Sequence, residues 1–291
     1  MTNPMGAIDC LVTGANGQLG RAVLELARAR GLTAVGAGHA DLAVEDQDAV
    51  RHWLGTHRPA WVLHCGAWTN VDGCEADPDR ADRVNGHGTG YLAESCRALG
   101  AGLVYVSTDF VFDGKASSPY PVDAPIAPLS AYGRSKALGE AAVLRHGMPN
   151  FHVVRTSWVF GPGGKNFPRA ILDRAKSGQP LRVVTDQVGR PTYTFDLAEA
   201  VLDLCTPAAP GGIWHAANEG ECSWHRFACD ILAAAGMGDV AVGTMNSAEL
   251  ARPAARPAYS VLDTSRLTTQ RGRPMPHYLD ALKRYFQKER P

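Results

Sequence analysis

The sequence predicts a doubly wound α/β fold, Rossmann-like, in which a parallel sheet carries a smaller mixed α/β domain. Three observations support this prediction: strands and helices alternate in the first half, the strands are almost wholly apolar, and a glycine-rich segment follows the first strand. Strands covered by helices on both faces read as continuous apolar runs, which is typical of parallel sheets.

The elements of the first half follow one another in regular order. Apolar runs predict strands at Ile8–Thr13, Thr33–Ala37, Trp61–His64, Leu103–Ser107 and Phe151–Thr156. Helical periodicity predicts helices at Gln18–Arg30, Asp46–His57, Asn85–Leu99 and Ala131–His146. Parallel strands joined through helices require crossover connections, and we expect these to be right-handed.

The alternation loosens after Thr156. Glycine and proline mark loops at 161–165, 207–212 and 251–257. Helices are still predicted at Phe167–Ser177, Phe195–Leu204, Ser223–Ala235 and near Tyr278–Gln287. We expect this half to lie over the carboxyl edge of the sheet, where open α/β sheets bind their ligands.

Composition narrows the class of protein. The chain has 291 residues, 45% of them hydrophobic, and 29 basic side chains balance 29 acidic ones. Zero net charge removes the long-range attraction expected of a general nucleic-acid or anionic-membrane binder. The 7 cysteines form no C-x-x-C pair, and neither a signal peptide nor a membrane-spanning run is apparent. We therefore expect reduced thiols, no metal site and a cytoplasmic location.

The glycine segment Leu11–Gly20 (LVTGANGQLG) lies between the first strand and the first helix. Gly14 permits the tight turn, Gly17 lets the backbone approach a pyrophosphate, and Gly20 lets the helix pack close to the strand. The helix N-terminus offers free N–H groups to the anion. The segment predicts dinucleotide binding, with contacts from Gly14, Asn16, Gly17, Gln18, Leu19 and Gly20.

The end of the second strand bears on which dinucleotide is bound. No acidic residue closes that strand, although folds that prefer NAD usually hold the ribose with a carboxylate there. Arg21 and His39 are available as donors, which favours NADPH, with NADH possible. We expect Asp41 to face the adenine, and Leu42 and the segment Cys65, Gly66 and Ala67 to complete the cofactor site.

Tyr132 and Lys136 lie four residues apart on a predicted helix, so their side chains share one face. The ordinary pKa of tyrosine is about 10. A neighbouring ammonium group stabilises the phenolate, so we expect Lys136 to lower the pKa of Tyr132. The pair follows a strand that ends in the hydroxyls of Ser107 and Thr108.

The glycine loop, the hydroxyl-ended strand and the Tyr–Lys pair together resemble the extended short-chain dehydrogenase/reductase family. The resemblance covers essentially the whole chain. It implies that Thr108, with help from Ser107, holds a substrate carbonyl, that Tyr132 transfers the proton, and that Lys136 also binds the nicotinamide ribose. From the change of pattern after Thr156 we expect a dinucleotide-binding domain at 1–156 and a mainly substrate-binding domain at 157–291, with about 181–205 returning to the first.

Several segments are similar to one branch of that family, the dTDP-4-dehydrorhamnose reductases. They are Ser107–Gly114 (STDFVFDG), Arg155–Val159 (RTSWV), Asn166–Phe167, Asp186–Thr192 (DQVGRPT), Asp196–Ala198 and Arg256–Ser260 (RPAYS). The branch reduces the 4-keto group of a dTDP-6-deoxy-L-hexulose, giving dTDP-L-rhamnose or a related deoxysugar nucleotide. The resemblance implies substrate contacts from Thr69, Val71, Ser107, Phe110 and Trp158 at the sugar and from Asn166, Gln187 and Arg256 at the nucleotide diphosphate.

The chain departs from this branch at four places. His64–Ala67 replaces an Asn-Ala-Ala segment, and Phe110 replaces a tyrosine. Ala22 and Phe195 stand where some members carry carboxylates that bind magnesium at a dimer contact, so we expect no metal. A monomer and a homodimer both remain open.

Two other functions remain open at this point. A nucleotide-sugar epimerase of the same family would keep NAD tightly bound, and a non-catalytic NADP-binding regulatory subunit, like that of methionine adenosyltransferase, can retain the same motifs. A dehydratase is disfavoured because Phe110 occupies the position of its catalytic glutamate.

Overall fold

The computed structural model describes residues 8–289. The strands are β1 (Cys10–Thr13), β2 (Ala34–Ala37), β3 (Trp61–His64), β4 (Gly102–Thr108), β5 (Phe151–Thr156), β6 (Val159–Phe160), β7 (Leu181–Val184), β8 (Val188–Gly189), β9 (Thr192–Tyr193), β10 (Gly212–His215), β11 (Cys222–Ser223) and β12 (Val242–Met245). The helices are α1 (Gln18–Ala29), α2 (Gln47–His57), α3 (Val71–Ala76), α4 (Pro78–Ala81), α5 (Gly88–Leu99), α6 (Ala131–Leu144), α7 (Phe167–Lys176), α8 (Thr194–Asp203), α9 (Trp224–Ala234), α10 (Ser247–Leu250), α11 (Ser265–Arg271) and α12 (Tyr278–Glu289).

A 6-stranded parallel sheet forms the centre of the molecule, in the order β10-β5-β4-β3-β1-β2. Its four inner strands are buried along most of their length, as their apolar sequences require, whereas the edge strands β2 and β10 are partly half-buried. This confirms the predicted doubly wound fold. The edge strand β10 was not predicted, because four residues after a Pro-Gly-rich loop give no pattern of their own.

Helices cover both faces of this sheet. On one face α1, α8 and α11 bury Val23, Val201 and Leu267 against β1 and β10. On the other face α2, α5 and α6 bury apolar side chains such as Leu54 and Leu92. Helix α8 thus packs beside α1 on the sheet although it lies far along the chain. The division into two domains at residue 156 stays a prediction.

A second hydrophobic core lies among α7, α9, α12 and the small paired strands. It is built on Phe160, Ile171, Phe227, Leu282 and Tyr285. Short pairings join β6 with β9, β7 with β12 and β8 with β11. This core supports the loops that project over the carboxyl edge of the central sheet.

The predicted start of a helix at Asn85 is wrong. The helical segment begins at Pro78, where the Asp77 carboxylate accepts a hydrogen bond from the Arg80 N–H across 3.0 Å. An acidic cap followed by proline is a helix start that hydrophobic periodicity does not detect. The segment then passes through a π-helix at Asp82–His87 before α5. Such π-helical turns occur frequently at functional sites.

Residues 8–289 contain neither a helix that could span a membrane nor a cluster of metal-binding side chains. No helix there has both the length and the apolar character to cross a bilayer. No cluster of three or more His, Cys, Asp or Glu side chains in the same range is placed to hold a metal ion.

Candidate active site

The glycine loop has the geometry that close packing against a dinucleotide requires. Gly14 has φ +66°, and a Cβ placed there would lie 2.6 Å from the backbone of Gly66. A Cβ on Gly20 would lie 2.3 Å from the Gly14 carbonyl oxygen. Only glycine tolerates the positive φ of Gly14 and such close approach of backbone atoms. The loops after β1 and β3 therefore contact each other through backbone atoms alone.

Helix α1 begins without a side-chain cap. Its N-cap is Gly17, and no side chain accepts a hydrogen bond from the first turn. By contrast Asp46, Ser130 and Ser223 cap α2, α6 and α9. The first N–H groups of α1 are therefore available to an anion, and the partial positive charge of the helix end favours one. The residues fit the pyrophosphate of a dinucleotide.

The predicted adenosine side of the cofactor site lies around the end of β2. Asn16 packs against Gly38, and the Asp41 carboxylate accepts the Gly38 N–H across 2.8 Å. The imidazole of His39 is 74% exposed, with its Nε2 3.9 Å from Glu45 Oε1, so it is accessible to a ribose or phosphate. Leu19 and Leu42 have side chains in the core, which leaves only their backbone for a ligand.

Arg21, the other predicted donor, is engaged elsewhere. Its guanidinium donates to the Gly163 carbonyl oxygen across 2.9 Å. Gln18 likewise donates to the Lys165 carbonyl oxygen across 3.1 Å. The loop after β6 therefore closes over the start of α1. His39 is the predicted donor at this site that remains exposed.

His64, at the end of β3, is a neutral buried imidazole. Its Nδ1 lies 2.6 Å from the Thr13 hydroxyl and its Nε2 lies 3.1 Å from that of Thr89. Because Thr89 donates its own proton to the Asn85 carbonyl oxygen, it accepts from Nε2, and Thr13 donates to Nδ1. Burial, aided by the charge of Lys136, lowers the pKa of His64 to about 3. The His64 ring thus fixes the segment that leads into Cys65, Gly66 and Ala67.

Thr108, the last residue of β4, lies in a dense hydrogen-bonded turn. Its hydroxyl donates to Asp109 Oδ1 across 3.0 Å and accepts the Phe110 N–H across 3.2 Å. The Asp109 carboxyl group is buried, and its Oδ2 has no partner in the described part of the chain. Burial raises the pKa of Asp109 to about 6, although the hydrogen bond from Thr108 opposes this shift.

Tyr132 and Lys136 both lie on the buried face of α6. The ammonium of Lys136 donates to the Val106 carbonyl oxygen across 2.8 Å and sits 4.1 Å from the Tyr105 ring centroid. Burial lowers the pKa of Lys136 to about 7, although the Glu140 carboxylate opposes this shift.

The expected lowering of the Tyr132 pKa by Lys136 is wrong for the protein alone. Burial raises the pKa of Tyr132 above its ordinary value of 10.0, and the group that opposes this is the Thr108 hydroxyl. The reason is that the Lys136 ammonium is directed to Val106 and Tyr105. Tyr132 therefore carries its proton at neutral pH.

Aromatic and apolar side chains enclose Tyr132. Phe110 meets the Tyr132 ring edge-on at 5.6 Å, and Val71 and Trp68 pack in the same cluster. Trp68 is held by Asn85, whose side chain accepts from the Trp68 N–H and donates to its carbonyl oxygen. Sequence reasoning missed both Trp68 and Asn85, and the π-helix is what directs the Asn85 amide at this segment.

Ser107, predicted as a substrate contact, is engaged beneath the site. Its hydroxyl donates to Glu140 Oε1 across 2.6 Å. The same carboxylate forms a two-pronged ion pair with Arg155, with bonds of 2.9 and 2.7 Å. Both charged side chains are only 2% exposed. This cluster ties α6 to β4 and β5 and fixes the height of Tyr132 over the sheet.

A cavity of about 720 Å³ lies next to Phe110. Of the predicted substrate residues it is lined by Phe110, Trp158, Gln187 and Arg256. Trp158 adopts φ +46°, and its ring stacks on Trp224 with centroids 3.6 Å apart. Trp224, Arg252 and Ser260 also line the cavity and were not predicted as substrate contacts. Nothing local distinguishes Trp224 and Arg252 from core or surface residues, whereas Ser260 ends the segment Arg256–Ser260 noted above.

Four predicted substrate residues lie outside this lining. Val71 packs in the cluster around Tyr132, Ser107 is hydrogen-bonded to Glu140, and the other two are Thr69 and Asn166. Thr69 is exposed beside α3. Asn166 caps α7, accepting from the Arg169 N–H, and donates to Gln18 Oε1 and the Gly161 carbonyl oxygen at 3.0 and 2.7 Å. Because both amide protons of Asn166 are used, it joins α7 to the start of α1 and does not reach the cavity.

Comparison with known proteins identifies relatives over nearly the whole chain. Residues 8–290 match the family model described as RmlD substrate binding domain. A dTDP-4-dehydrorhamnose reductase of Streptomyces griseus is 43% identical over 282 residues, covering 95% of this chain and 92% of that protein.

Solved structures give the same result. A dTDP-4-dehydrorhamnose reductase of Clostridium acetobutylicum superposes with a TM-score of 0.91 at 36% identity, covering 96% of this chain and 98% of that one. The enzyme of that name from Bacillus anthracis, solved with NADP, also gives 0.91, at 33% identity, covering 97% of this chain and 99% of that one. The resemblance found in the sequence is confirmed: the chain belongs to the RmlD substrate-binding domain family, in the dTDP-4-dehydrorhamnose reductase branch of the extended short-chain dehydrogenases/reductases.

Proposed function

We propose that the protein reduces the 4-keto group of a dTDP-6-deoxy-L-hexulose with NADPH, giving dTDP-L-rhamnose or a related deoxysugar nucleotide. One observation carries the proposal. Tyr132 is a buried, protonated phenol whose ring contacts Phe110. Phe110 in turn lines a cavity that is large enough for a nucleotide sugar. The family relationship and the NADP-bound relative support the same reaction.

The chain would hold the cofactor through backbone and through few side chains. The uncapped N–H groups of α1 bind the pyrophosphate, and the glycines admit it to close range. His39 and Asp41 face the adenosine end, and Lys136 grips the nicotinamide ribose. NADPH supplies the hydride to C4 when it is bound, and NADH is the second nicotinamide that the site would accept.

The protein's part in the chemistry is proton delivery. Reduction of a ketone adds hydride to carbon and a proton to oxygen. Tyr132 donates that proton to O4 and is protonated at neutral pH before each turnover, although burial makes it a weaker acid than a free phenol. Thr108 directs its hydroxyl to the same oxygen, where a preorganised donor stabilises the developing charge.

The cavity would hold the rest of the substrate. Val71, Phe110 and Trp158 border the sugar, and Arg256 and Gln187 lie at the nucleotide diphosphate. Thr69 and Asn166 remain predicted contacts that depend on movement of their segments. We expect a monomer or homodimer without a bound metal ion.

The test is NADPH oxidation, followed by absorbance, after addition of freshly generated dTDP-4-keto-6-deoxy-L-lyxo-hexulose. Tyr132→Phe should lower kcat by about 10²–10⁴-fold, the usual contribution of a general acid. Tyr91→Phe, on α5, serves as the matched control and should retain activity.

Two results would contradict the proposal. Stoichiometric NAD in the purified protein, with interconversion of epimers, would indicate an epimerase. Tight NADPH binding without oxidation by any dTDP-keto-sugar would indicate a regulatory subunit.

A further inference from the structure

The carboxylate of Asp72 gathers donors from a segment far along the chain. Arg256 Nη2 lies 3.1 Å from both Asp72 oxygens, Arg252 Nη1 lies 3.2 Å from Oδ2, and the Ala254 N–H lies 3.2 Å from Oδ1. We call residues 251–257 the strap. Asp72 thus ties the strap to α3, which follows the cofactor-side loop after β3.

The two arginines and Asp72 are placed differently with respect to the cavity. Arg252 and Arg256 line it, whereas Asp72 is not among the described residues that do. The side chains of Asp72 and Arg256 are 23% and 19% exposed, so their contact is partly shielded from water. Arg256 is held twice, because its Nη1 also donates to the Ala254 carbonyl oxygen across 2.8 Å.

The far side of the strap is fixed as well. Gly114, in the loop after Thr108, has φ +72°, and a Cβ there would lie 2.5 Å from Pro257 Cα. The Tyr259 N–H donates to the Gly114 carbonyl oxygen across 3.1 Å. The strap therefore packs between α3 and the loop that carries Phe110. Both of these segments contact Tyr132, through Val71 and Phe110.

We propose that Asp72 is a positioning residue that holds Arg256, and with it the strap, at the mouth of the cavity so that the guanidinium meets the substrate diphosphate. The inference rests on the proposed function, since it needs a nucleotide diphosphate in this cavity. A carboxylate that accepts from both arginines fixes their planes, and ordering them before binding removes an entropic cost from association.

The charge of Asp72 allows a positioning role to be distinguished from simple repulsion of an anion, because the two predict opposite changes in affinity. Although partial burial acts in the other direction, hydrogen bonds from Ala254 and Arg256 hold the pKa of Asp72 below its ordinary value. A negative charge near an anion site repels the anion, so removal of that charge alone should tighten binding. If Asp72 positions Arg256, Asp72→Asn should instead weaken binding.

The experiment is calorimetric titration of the whole protein with dTDP. Asp72→Asn should weaken dTDP binding by about tenfold or more, the range for a shielded charge pair that loses one partner. The Kd for NADPH should stay the same, and for the keto-sugar KM should rise while kcat changes by less than about threefold. Asp72→Glu keeps the charge but moves the oxygens, and an intermediate loss is expected.

Glu249→Gln is the matched control. Glu249 pairs with Arg182, another arginine that lines the cavity, across 2.6 Å. The variant removes one negative charge without contact to Arg256, so dTDP binding should stay the same or tighten slightly.

Unchanged or tighter dTDP binding in both Asp72 variants would overturn the inference. If the wild-type protein binds dTDP but does not reduce the keto-sugar, the proposed function is wrong. The role of Asp72 is then still tested by the dTDP affinities of its variants. A wild-type protein that does not bind dTDP would overturn both.

Discussion

The hydroxyl of Thr108 donates its only proton to Asp109 Oδ1, across 3.0 Å. The group proposed to hold the substrate carbonyl is therefore engaged with a buried acid before substrate arrives. To donate to a carbonyl oxygen, the Thr108 hydroxyl must turn away from Asp109. That rotation is easiest when Asp109 is protonated, because the acid can then donate to Thr108 in return.

Removal of the Thr108 hydroxyl should separate its role from that of the backbone turn. Thr108→Val should lower kcat by about 10²–10³-fold, the usual effect of losing a donor to a developing oxyanion. Thr108→Ser retains the hydroxyl and should recover most of the activity. Steady-state rates with saturating NADPH measure both variants, and equal rates for Val and Ser would show that the hydroxyl is not used.

Asp109 should make stability depend on pH. Its pKa rises from 3.8 to about 6 on folding, so the folded state holds the proton more tightly and stability falls as pH rises through that window. Asp109→Asn removes the ionisable group. Above this pH window the free energy of unfolding of the variant should therefore exceed that of the wild type by up to about 3 kcal/mol, and below the window it should show no such excess. Urea unfolding of both proteins at about pH 4 and about pH 8 measures the difference. A constant difference across the range would contradict the prediction.

Buried histidines should act in the opposite direction. Burial lowers the pKa of His64 to about 3 and that of His152 to about 4, both from 6.5. The unfolded chain then binds protons more readily, so stability is lost as pH falls below 6.5. Each such histidine contributes up to about 1.4 kcal/mol per pH unit. The stability of His64→Gln should depend less steeply on pH, and the slope of unfolding free energy against pH tests this.

The buried ion pair should be far more important to stability than an exposed one. Glu140→Gln leaves the Arg155 guanidinium buried without its counter-charge, which typically costs about 3–5 kcal/mol. The control is Glu94→Gln, which breaks the pair with Arg145, whose side chains are 43% and 54% exposed. That change should cost less than about 1 kcal/mol. Thermal and urea unfolding compare the two, and similar losses would contradict the role of Glu140.

The sequence predicted those features whose physics is local. Gly14 and Gly20 are required by backbone contacts within one strand-turn-helix unit, and the spacing of Tyr132 and Lys136 is a property of one helix. The predicted parallel sheet followed from apolar strands alternating with helices. These features can be predicted from the sequence without knowing which distant segments are in contact in the fold.

The remaining features depend on distant partners. The edge strand β10 becomes a strand by pairing with β5, and Asp72 meets Arg256 from 184 residues away. Ser107 and Asn166 were predicted as ligand contacts, but Glu140 and Gln18 occupy them. A polar side chain that faces a ligand and one that satisfies a neighbouring element look alike in a single sequence.

The late arrival of β10 and α8 bears on how the protein is made. While residues up to Thr156 are emerging from the ribosome, β5 has an open edge and α1 lacks the helix that covers Val23. Unpaired edges and exposed apolar surface are what partly synthesised chains aggregate through. The open edge of β5 and the uncovered Val23 are therefore aggregation hazards for the nascent chain until residues 194–215 have been translated and can close the sheet.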